Sequence, residues 1–278
     1  LKVLPFTIPK PEPSGLIYQE DHEWLFYDQL HQHEELQISY IVKGSGTLIV
    51  SEAINAYSEG DVFVIGGNVP HLFKSDLDLP EKSFMQSLFF TQTAFGVDFF
   101  HLSETEILQG FFKSSQLGLQ VISDLEVLHK LFHQLKSATK LERLIILLQM
   151  INAIQQSQFR ELASGRIQAQ LSLKQGERLR QVFDFTMSYY DSEISLDRVA
   201  EVAHMTKTAF CKYFKKRTNK TYYQFLNEYR IEMVVKAMRL HPERSMSQIA
   251  YDCGFGSVSN FNKTFKRIKG CTPGQMRA

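Results

Sequence analysis

Two segments in the last hundred residues repeat one internal order, and that repeat limits the folds open to this chain. In the first, Ser195 can cap a helix reading Leu196-Asp-Arg-Val-Ala-Glu-Val-Ala203, in which Leu196, Val199, Ala200 and Ala203 share one face at helical spacing. His204-Met205 makes a turn and Thr206 is the next cap. The helix that follows, Lys207 to Lys216, sets Phe210 and Phe214 inward and Lys207, Thr208, Lys212 and Lys216 outward. In the second, Ser247 to Cys253 reads as a helix and Gly254-Phe255-Gly256 as a turn. Ser257 then caps a helix through Arg267 with Phe261 and Phe265 inward. Ser259, Asn260, Asn262, Lys263 and Lys266 are left outward, and Ile249 and Ala250 take the parts of Val199 and Ala200. A long amphipathic stretch joins the two.

Each segment is a helix-turn-helix pattern. Small residues at Ala200 and Ala203 let the second helix approach the first closely, and Lys, Thr, Ser and Asn side chains on its free face can reach phosphates and base edges. Two such units in one chain can grip two major-groove segments about one helical turn, roughly 34 Å, apart. Thr206, Lys207, Thr208, Lys212, Lys216, Ser257, Ser259, Asn260, Asn262, Lys263 and Lys266 are therefore the candidate contacts to double-stranded DNA.

Charge is distributed accordingly. The formal net charge is only +1, yet residues 177–278 hold 18 Lys and Arg against 10 Asp and Glu, while residues 1–176 hold 13 against 20. A basic module joined to an acidic one fits phosphate binding through counterion release, carried by a domain with other business. The three cysteines, Cys211, Cys253 and Cys271, lack metal-site or disulfide spacing and are expected as buried or inert thiols. No charged-then-apolar leader and no membrane-length apolar run is found, which leads to the expectation of a cytoplasmic protein without membrane contact.

The runs Ala250-Tyr-Asp-Cys-Gly-Phe255, Phe261-Asn-Lys-Thr-Phe-Lys266 and Gly270-Cys-Thr-Pro273 resemble the signature of the AraC family of bacterial transcription regulators. The resemblance implies a seven-helix DNA-binding domain with two recognition helices, and Arg230-Ile231 resembles the family's position on the linking helix. It also implies a ligand-responsive regulator that is frequently a homodimer, with RNA polymerase admitted as a further partner. The chain departs from the pattern at Lys212, Asn219, Thr221-Tyr222, Ser257, Asn260 and Met276, which bears on base contacts rather than on the fold.

The first half reads as strands. After a start spaced by Pro5, Pro9, Pro11 and Pro13, Leu36, Ile38, Tyr40 and Val42 alternate with Gln37, Ser39 and Ile41. Lys43-Gly-Ser-Gly46 turns and Thr47 to Val50 returns, a hairpin with one buried face. Val62 to Ile65 and Met85 to Phe90 are further strands. Strands at this spacing suggest an antiparallel barrel over residues 15–95. His31-Gln-His33 with Gln37, and Gly60 through Pro70-His71, resemble the two segments of the cupin barrel, which in many AraC-type regulators binds a small effector. His31, His33, Gln37 and His71 would line its mouth, with Trp24, Tyr27 and Tyr40 as aromatic walls. In metal cupins a carboxylate joins the histidines. Gln37 stands in its place as a poorer ligand, and three imidazoles alone could still hold Zn or Fe; no metal or other cofactor is assigned, and the four side chains are read as effector-binding.

Leu125, Leu128, Leu131, Phe132 and Leu135, then Leu141 to Ile154, recur at helical spacing and predict a helix pair that packs on the barrel or, through Ile145 to Leu148, forms a dimer face. The expected fold is thus α+β in two domains. Residues 1–162 form the effector domain, with helices over 98–162, and 163–176 form a linker. Residues 177–278 form an all-α domain with tandem helix-turn-helix units. The function expected is that of a sequence-specific regulator and not an enzyme. A metal-dependent cupin enzyme with a basic tail is the alternative, and an architectural DNA binder a third.

Overall fold

The computed structural model describes residues 15–26, 30–76, 81–163, 173–218 and 220–277. Tyr27, Asn219, the N-terminal prolines and residues 164–172 of the expected linker lie outside them. The chain divides into two compact units, residues 3–170 and, apart from the first two residues, 171–278.

The first unit contains strands β1 (Leu16–Glu23), β2 (Leu36–Lys43), β3 (Gly46–Val50), β4 (Ala53–Tyr57), β5 (Val62–Ile65), β6 (His71–Ser75), β7 (Ser83–Phe90), β8 (Leu119–Val121) and β9 (Phe159–Glu161). Its helices are α1 (Gln109–Ser115), α2 (Leu125–Leu135) and α3 (Lys140–Gln156). The strands form two open sheets, ordered β1-β7-β2-β5-β8-β9 and β4-β3-β6, and not the closed cupin-like barrel expected from the sequence. Two features keep them open. Beyond β5 the larger sheet continues into β8 and β9 instead of returning to the smaller one. The chain also changes sheets at Gly44-Ser45, so β2 and β3 are not a hairpin: β2 pairs with β5 and β7, and β3 with β4 and β6. Glycine is needed at that crossing. Gly44 has φ +102°, and a Cβ on Gly46 would stand 2.1 Å from the Lys74 carbonyl oxygen.

Alternation along the central strands explains the layering. Leu36, Ile38 and Tyr40 of β2 and Val62 and Val64 of β5 face a core shared with Phe111, Phe112, Leu128, Phe132, Leu147 and Met150 of the helices. Ile41, Phe63 and Ile65 face the opposite way, into a second core with Leu48, Val50, Phe73 and Met85 between the sheets. Most of β2 is buried on both faces, where one had been expected. The α3 helix is held at its start by Thr139, whose hydroxyl accepts from the Glu142 amide while the Glu142 carboxylate accepts from the Thr139 amide.

The second unit is helical: α4 (Leu173–Tyr189), α5 (Leu196–Val202), α6 (Lys207–Thr218), α7 (Tyr222–Leu240), α8 (Met246–Asp252), α9 (Val258–Lys269) and α10 (Pro273–Arg277). The α4 helix begins inside the segment expected to be linker. Its Phe183 stacks on Phe225 of α7 at 4.6 Å and meets Phe214 of α6 edge-on. The later half of α7, through Ile231, Val234, Val235 and Met238, packs with Ile249, Ala250, Cys253, Phe255, Phe261 and Phe265. The nineteen-residue α7 thus supplies both cores.

Candidate functional site

In the first unit a cavity of about 310 Å³ is lined by His31, His33 and Gln37 together with Gln19, Asp21 and Glu23 of β1 and the apolar side chains of Leu25, Phe26, Phe73, Met85 and Phe89. His31 pairs through its backbone with His71 at the start of β6. The His31 and His71 rings lie 4.3 Å apart, and those of His33 and His71 5.0 Å apart. All three histidines and Gln37 are buried. Each of two rings is fixed at both nitrogens. His33 Nδ1 lies 2.8 Å from the Glu35 carbonyl oxygen and His71 Nδ1 2.8 Å from that of Val69. Their Nε2 atoms lie 3.2 and 3.1 Å from Gln37 Oε1. Gln37 Nε2 donates to Ser39 Oγ, which meets Ser87 Oγ at 2.8 Å.

Burial lowers the pKa of His33, and lowers that of His71 further with the help of its two histidine neighbours, so both rings are neutral at neutral pH. Burial raises the pKa of Asp21 at the cavity wall.

The structure brings His31, His33, Gln37 and His71 together and separates the two aromatic candidates from them. Tyr40 lies on the opposite face of β2, where it stacks on His129 of α2 at 4.3 Å. Trp24 is 55 % exposed and does not line the cavity. The parity of β2 accounts for Tyr40: odd positions 37, 39 and 41 face the smaller sheet and even positions the helices. Asp21 and Glu23 were missed, although the alternation Gln19, Asp21, Glu23 was a readable signal of one strand face.

In the second unit the two helix pairs are built alike to the level of single hydrogen bonds. Ser195 and Ser245 cap the first helices, accepting from the Arg198 and Gln248 amides at 3.2 Å each. Thr206 and Ser257 cap the second, accepting from the Ala209 and Asn260 amides at 3.3 Å each. In the turns the Met205 amide donates to the Ala200 carbonyl at 2.9 Å, and Phe255 donates to Ala250 at 3.0 Å. His204, with φ 52°, and Gly254, with φ 83°, occupy equivalent left-handed positions. Phe210 and Phe214, like Phe261 and Phe265, are fully buried.

All eleven candidate DNA contacts are exposed. Thr206 and Ser257 already use their hydroxyls as caps. Lys207 pairs with Asp197 at 2.9 Å, a surface pair that water and phosphate can readily exchange. Lys215 and Arg267 are exposed on the same two helices and were not singled out. Cys211 is exposed rather than buried, because position 211 follows Lys207 by one helical turn on the outward stripe. Cys253 is buried, which pushes its thiol pKa up to about 12.

Arg230 of α7 ties the two helix-turn-helix pairs of the second unit together. It donates to the Tyr190 and Ser192 carbonyls at 2.7 Å each, ahead of α5, and its guanidinium lies 5.9 Å from the centre of the Phe255 ring in the second turn. Glu232 and Lys269, both largely buried, pair at 2.6 Å and hold the end of α9 to α7.

Residues 13–169, more than half of the chain, match the model of the AraC-like ligand binding domain, and residues 199–278 match a helix-turn-helix domain. The chain belongs to the AraC family. It is 24 % identical over 260 residues to the uncharacterized HTH-type transcriptional regulator YdeC of Bacillus subtilis, covering 89 % of this chain and 85 % of that one. Its identity to the HTH-type transcriptional activator RhaS of Mannheimia succiniciproducens is 22 % over 259 residues, covering 91 % and 90 %. Among solved structures it is similar to ToxT of Vibrio cholerae, with a TM-score of 0.37 and 13 % identity over 94 % of this chain and 97 % of that one. As an AraC-family member the chain is a DNA-binding transcription regulator, and its relatives are regulators rather than enzymes. No described helix is long and apolar enough to cross a membrane.

Proposed function

We propose that this AraC-family protein binds a small-molecule effector in the cavity between its two sheets and that occupancy biases how the tandem helix-turn-helix unit engages a specific promoter sequence. The observation that carries the reading is the cavity. It lies in the unit that does not read DNA, and it joins an apolar wall of Phe26, Phe73, Met85 and Phe89 to polar groups at His31, His33, Gln37 and Asp21. A site of this kind encloses a small molecule and fixes its orientation through a few polar contacts. Coupling requires that the effector bind two arrangements of the protein with different affinity. Residues 1–162 act as the effector domain in this reading and 177–278 as the DNA-binding domain, with a linker between. Regulation then passes from the bound promoter to RNA polymerase in the cytoplasm.

On the DNA side, the outward stripes of α6 and α9 enter successive major grooves, with Lys212 and Lys263 among the contacts. Fluorescence anisotropy of the full chain on DNA from upstream of its own gene, against scrambled DNA, tests this. Lys212→Ala and Lys263→Ala are each expected to weaken binding and to lower the slope of log affinity against log salt by about one. Unchanged affinity and slope in both variants would remove these faces from the interface. A candidate effector that leaves DNA affinity, self-association and transcription all unaltered would end the coupling reading for that compound.

The protein acts as a homodimer in this reading. On α3, Ile146, Leu147, Met150, Ile151 and Ile154 are spent in the core, while Leu141 and Ile145 stay exposed on the other side. Ile145→Asp is expected to shift the chain from dimer to monomer in sedimentation velocity without changing its helix content. A wild-type chain that sediments as a monomer across the micromolar range contradicts the dimer.

A further inference from the structure

We propose that the cavity of the first unit selects an organic cation, a protonated amine on an apolar body, with Asp21 and Glu23 of β1 holding the ammonium group and Phe26, Phe73 and Phe89 the body. This rests on the effector-binding reading of the cavity and names the class of molecule that the cavity takes.

The parity of one strand sets the charge of the wall. On one face of β1 the Tyr18 hydroxyl donates to Glu20 and accepts from Gln86, and Lys136 balances Glu20 at 3.0 Å. On the other face Gln19, Asp21 and Glu23 line the cavity. Carboxylates two residues apart on one strand lie about 6–7 Å apart along it, so one ammonium can stand within reach of both. Across the β1–β7 ladder Met85 faces Asp21 and Ser83 faces Glu23, and neither can balance a charge. Asp21 accepts instead from the neutral amide of Gln19, at 2.6 Å.

No lysine or arginine stands among the described residues that line the cavity. His33 and the adjoining His71 do not supply the missing cation. Their Nδ1 atoms lie 2.8 Å from carbonyl oxygens, which fixes the single ring proton there, and their Nε2 atoms are left as acceptors. A half-turn of the Gln37 amide sets its nitrogen toward both Nε2 atoms and its oxygen toward Ser39, so the neutral network is closed on itself. The other lining histidine, His31, is buried with its ring 4.3 Å from that of neutral His71. Burial raises the pKa of Asp21 and the neighbouring Glu23 adds to the rise, against the Gln19 hydrogen bond and His22. That is the mark of a carboxylate drawn from water without a cation beside it, and a bound ammonium offsets the cost. An anion would instead meet two like charges. Opposite the carboxylates, Leu25, Phe26, Phe73, Met85 and Phe89 give an apolar wall whose aromatic faces also attract a cation. The volume of about 310 Å³ suits a small ligand of ring or short-chain size.

The test is charge selectivity on a fixed skeleton. Full-length protein at neutral pH should be titrated by calorimetry, with melting temperature as a second readout, against primary amines running from butylamine to tryptamine, each beside the alcohol and the carboxylate of the same skeleton. The best amine is expected to bind at least about tenfold tighter than its alcohol, with its carboxylate weakest. Asp21→Asn keeps the shape and removes a charge from a half-buried position, so it should fold with an undiminished melting temperature. It should bring the amine down to the affinity of the alcohol and leave the alcohol unchanged. Asp21→Lys should reverse the order and favour the carboxylate. Alcohols or carboxylates that bind the wild type as tightly as the amines would overturn the cation assignment and leave the cavity standing as an effector site. An amine preference that survives in the Asp21→Asn/Glu23→Gln double variant would overturn it too, by placing the charge elsewhere. Absence of binding by every amine, alcohol and carboxylate would overturn the assignment together with the effector reading of the cavity.

Discussion

Phe214→Ala and Phe265→Ala are each expected to lower the stability of the helical unit by about 3–5 kcal/mol and to abolish measurable promoter binding. Both rings are fully buried, each one helical turn beyond a second buried phenylalanine of its own helix. Phe214 also meets Phe183, Tyr222 and Phe225, and so joins α6 to α4 and α7. Removing it leaves a cavity at the meeting of three helices, where the surroundings can relax little. The loss of binding follows from geometry more than from global unfolding. Helices α6 and α9 present their outward stripes at a fixed spacing only while both are clamped to α7, and a domain that grips two groove segments loses most of its affinity when one helix swings. Urea denaturation followed by circular dichroism, with anisotropy on the same samples, separates the two consequences. Losses below about 1 kcal/mol would mean that the phenylalanine cluster is not what holds the helices.

Much of the helical unit was legible because its signals are local. Caps at Ser195, Thr206 and Ser257, inward phenylalanines four apart, and a small residue before each turn are all readable within a dozen residues. The helix read from Ser247 begins one residue earlier, at Met246, behind a cap at Ser245 that the sequence reading did not name. The sheets were harder. Period-two alternation marks strands and faces, but it does not say which strand pairs with which. The glycine crossing at Gly44-Ser45 looks locally like a hairpin turn, and only the distant partners of β3, namely β4 and β6, reveal the change of sheet. Closure into a barrel failed for the same reason, since it depends on β8 and β9, short strands separated by two helices. At the cavity, His31, His33, Gln37 and His71 were found through their resemblance to a known pattern. Tyr40 was assigned to it against the parity of its own strand. Asp21 and Glu23 come from β1, which joins the site through pairing with the distant β7, where their partners are Met85 and Ser83, and that register has no local signature.

The paired turns allow a test in which one structural position gives opposite signs. Gly254 has φ +83°, and a Cβ there would lie 2.4 Å from the Tyr190 carbonyl oxygen and 2.9 Å from the Arg230 guanidinium. Those are the atoms of the hydrogen bond that anchors α7 to the segment ahead of α5. Gly254→Ala therefore pays the left-handed conformation, about 1–2 kcal/mol, and also has to displace a backbone carbonyl or break the Arg230 contact. A total of at least about 3 kcal/mol is expected, together with a loss of promoter affinity as Phe255 and α9 shift. His204 holds the same place in the first unit with φ 52°, and it is exposed. There the side chain meets the conformational penalty without a tight neighbour, so His204→Gly should be neutral or stabilising by up to about 1 kcal/mol, the relief of strain exceeding glycine's entropy in the unfolded chain. Melting temperatures of the two variants against wild type decide the matter. Similar destabilisation by both would show that the two turns are not equivalent in energy, whatever their common geometry. A loss in Gly254→Ala beyond the about 1–2 kcal/mol of the left-handed conformation would locate the rest of the constraint in the Tyr190–Arg230 contact, the point at which the second helix-turn-helix unit is fixed to the first.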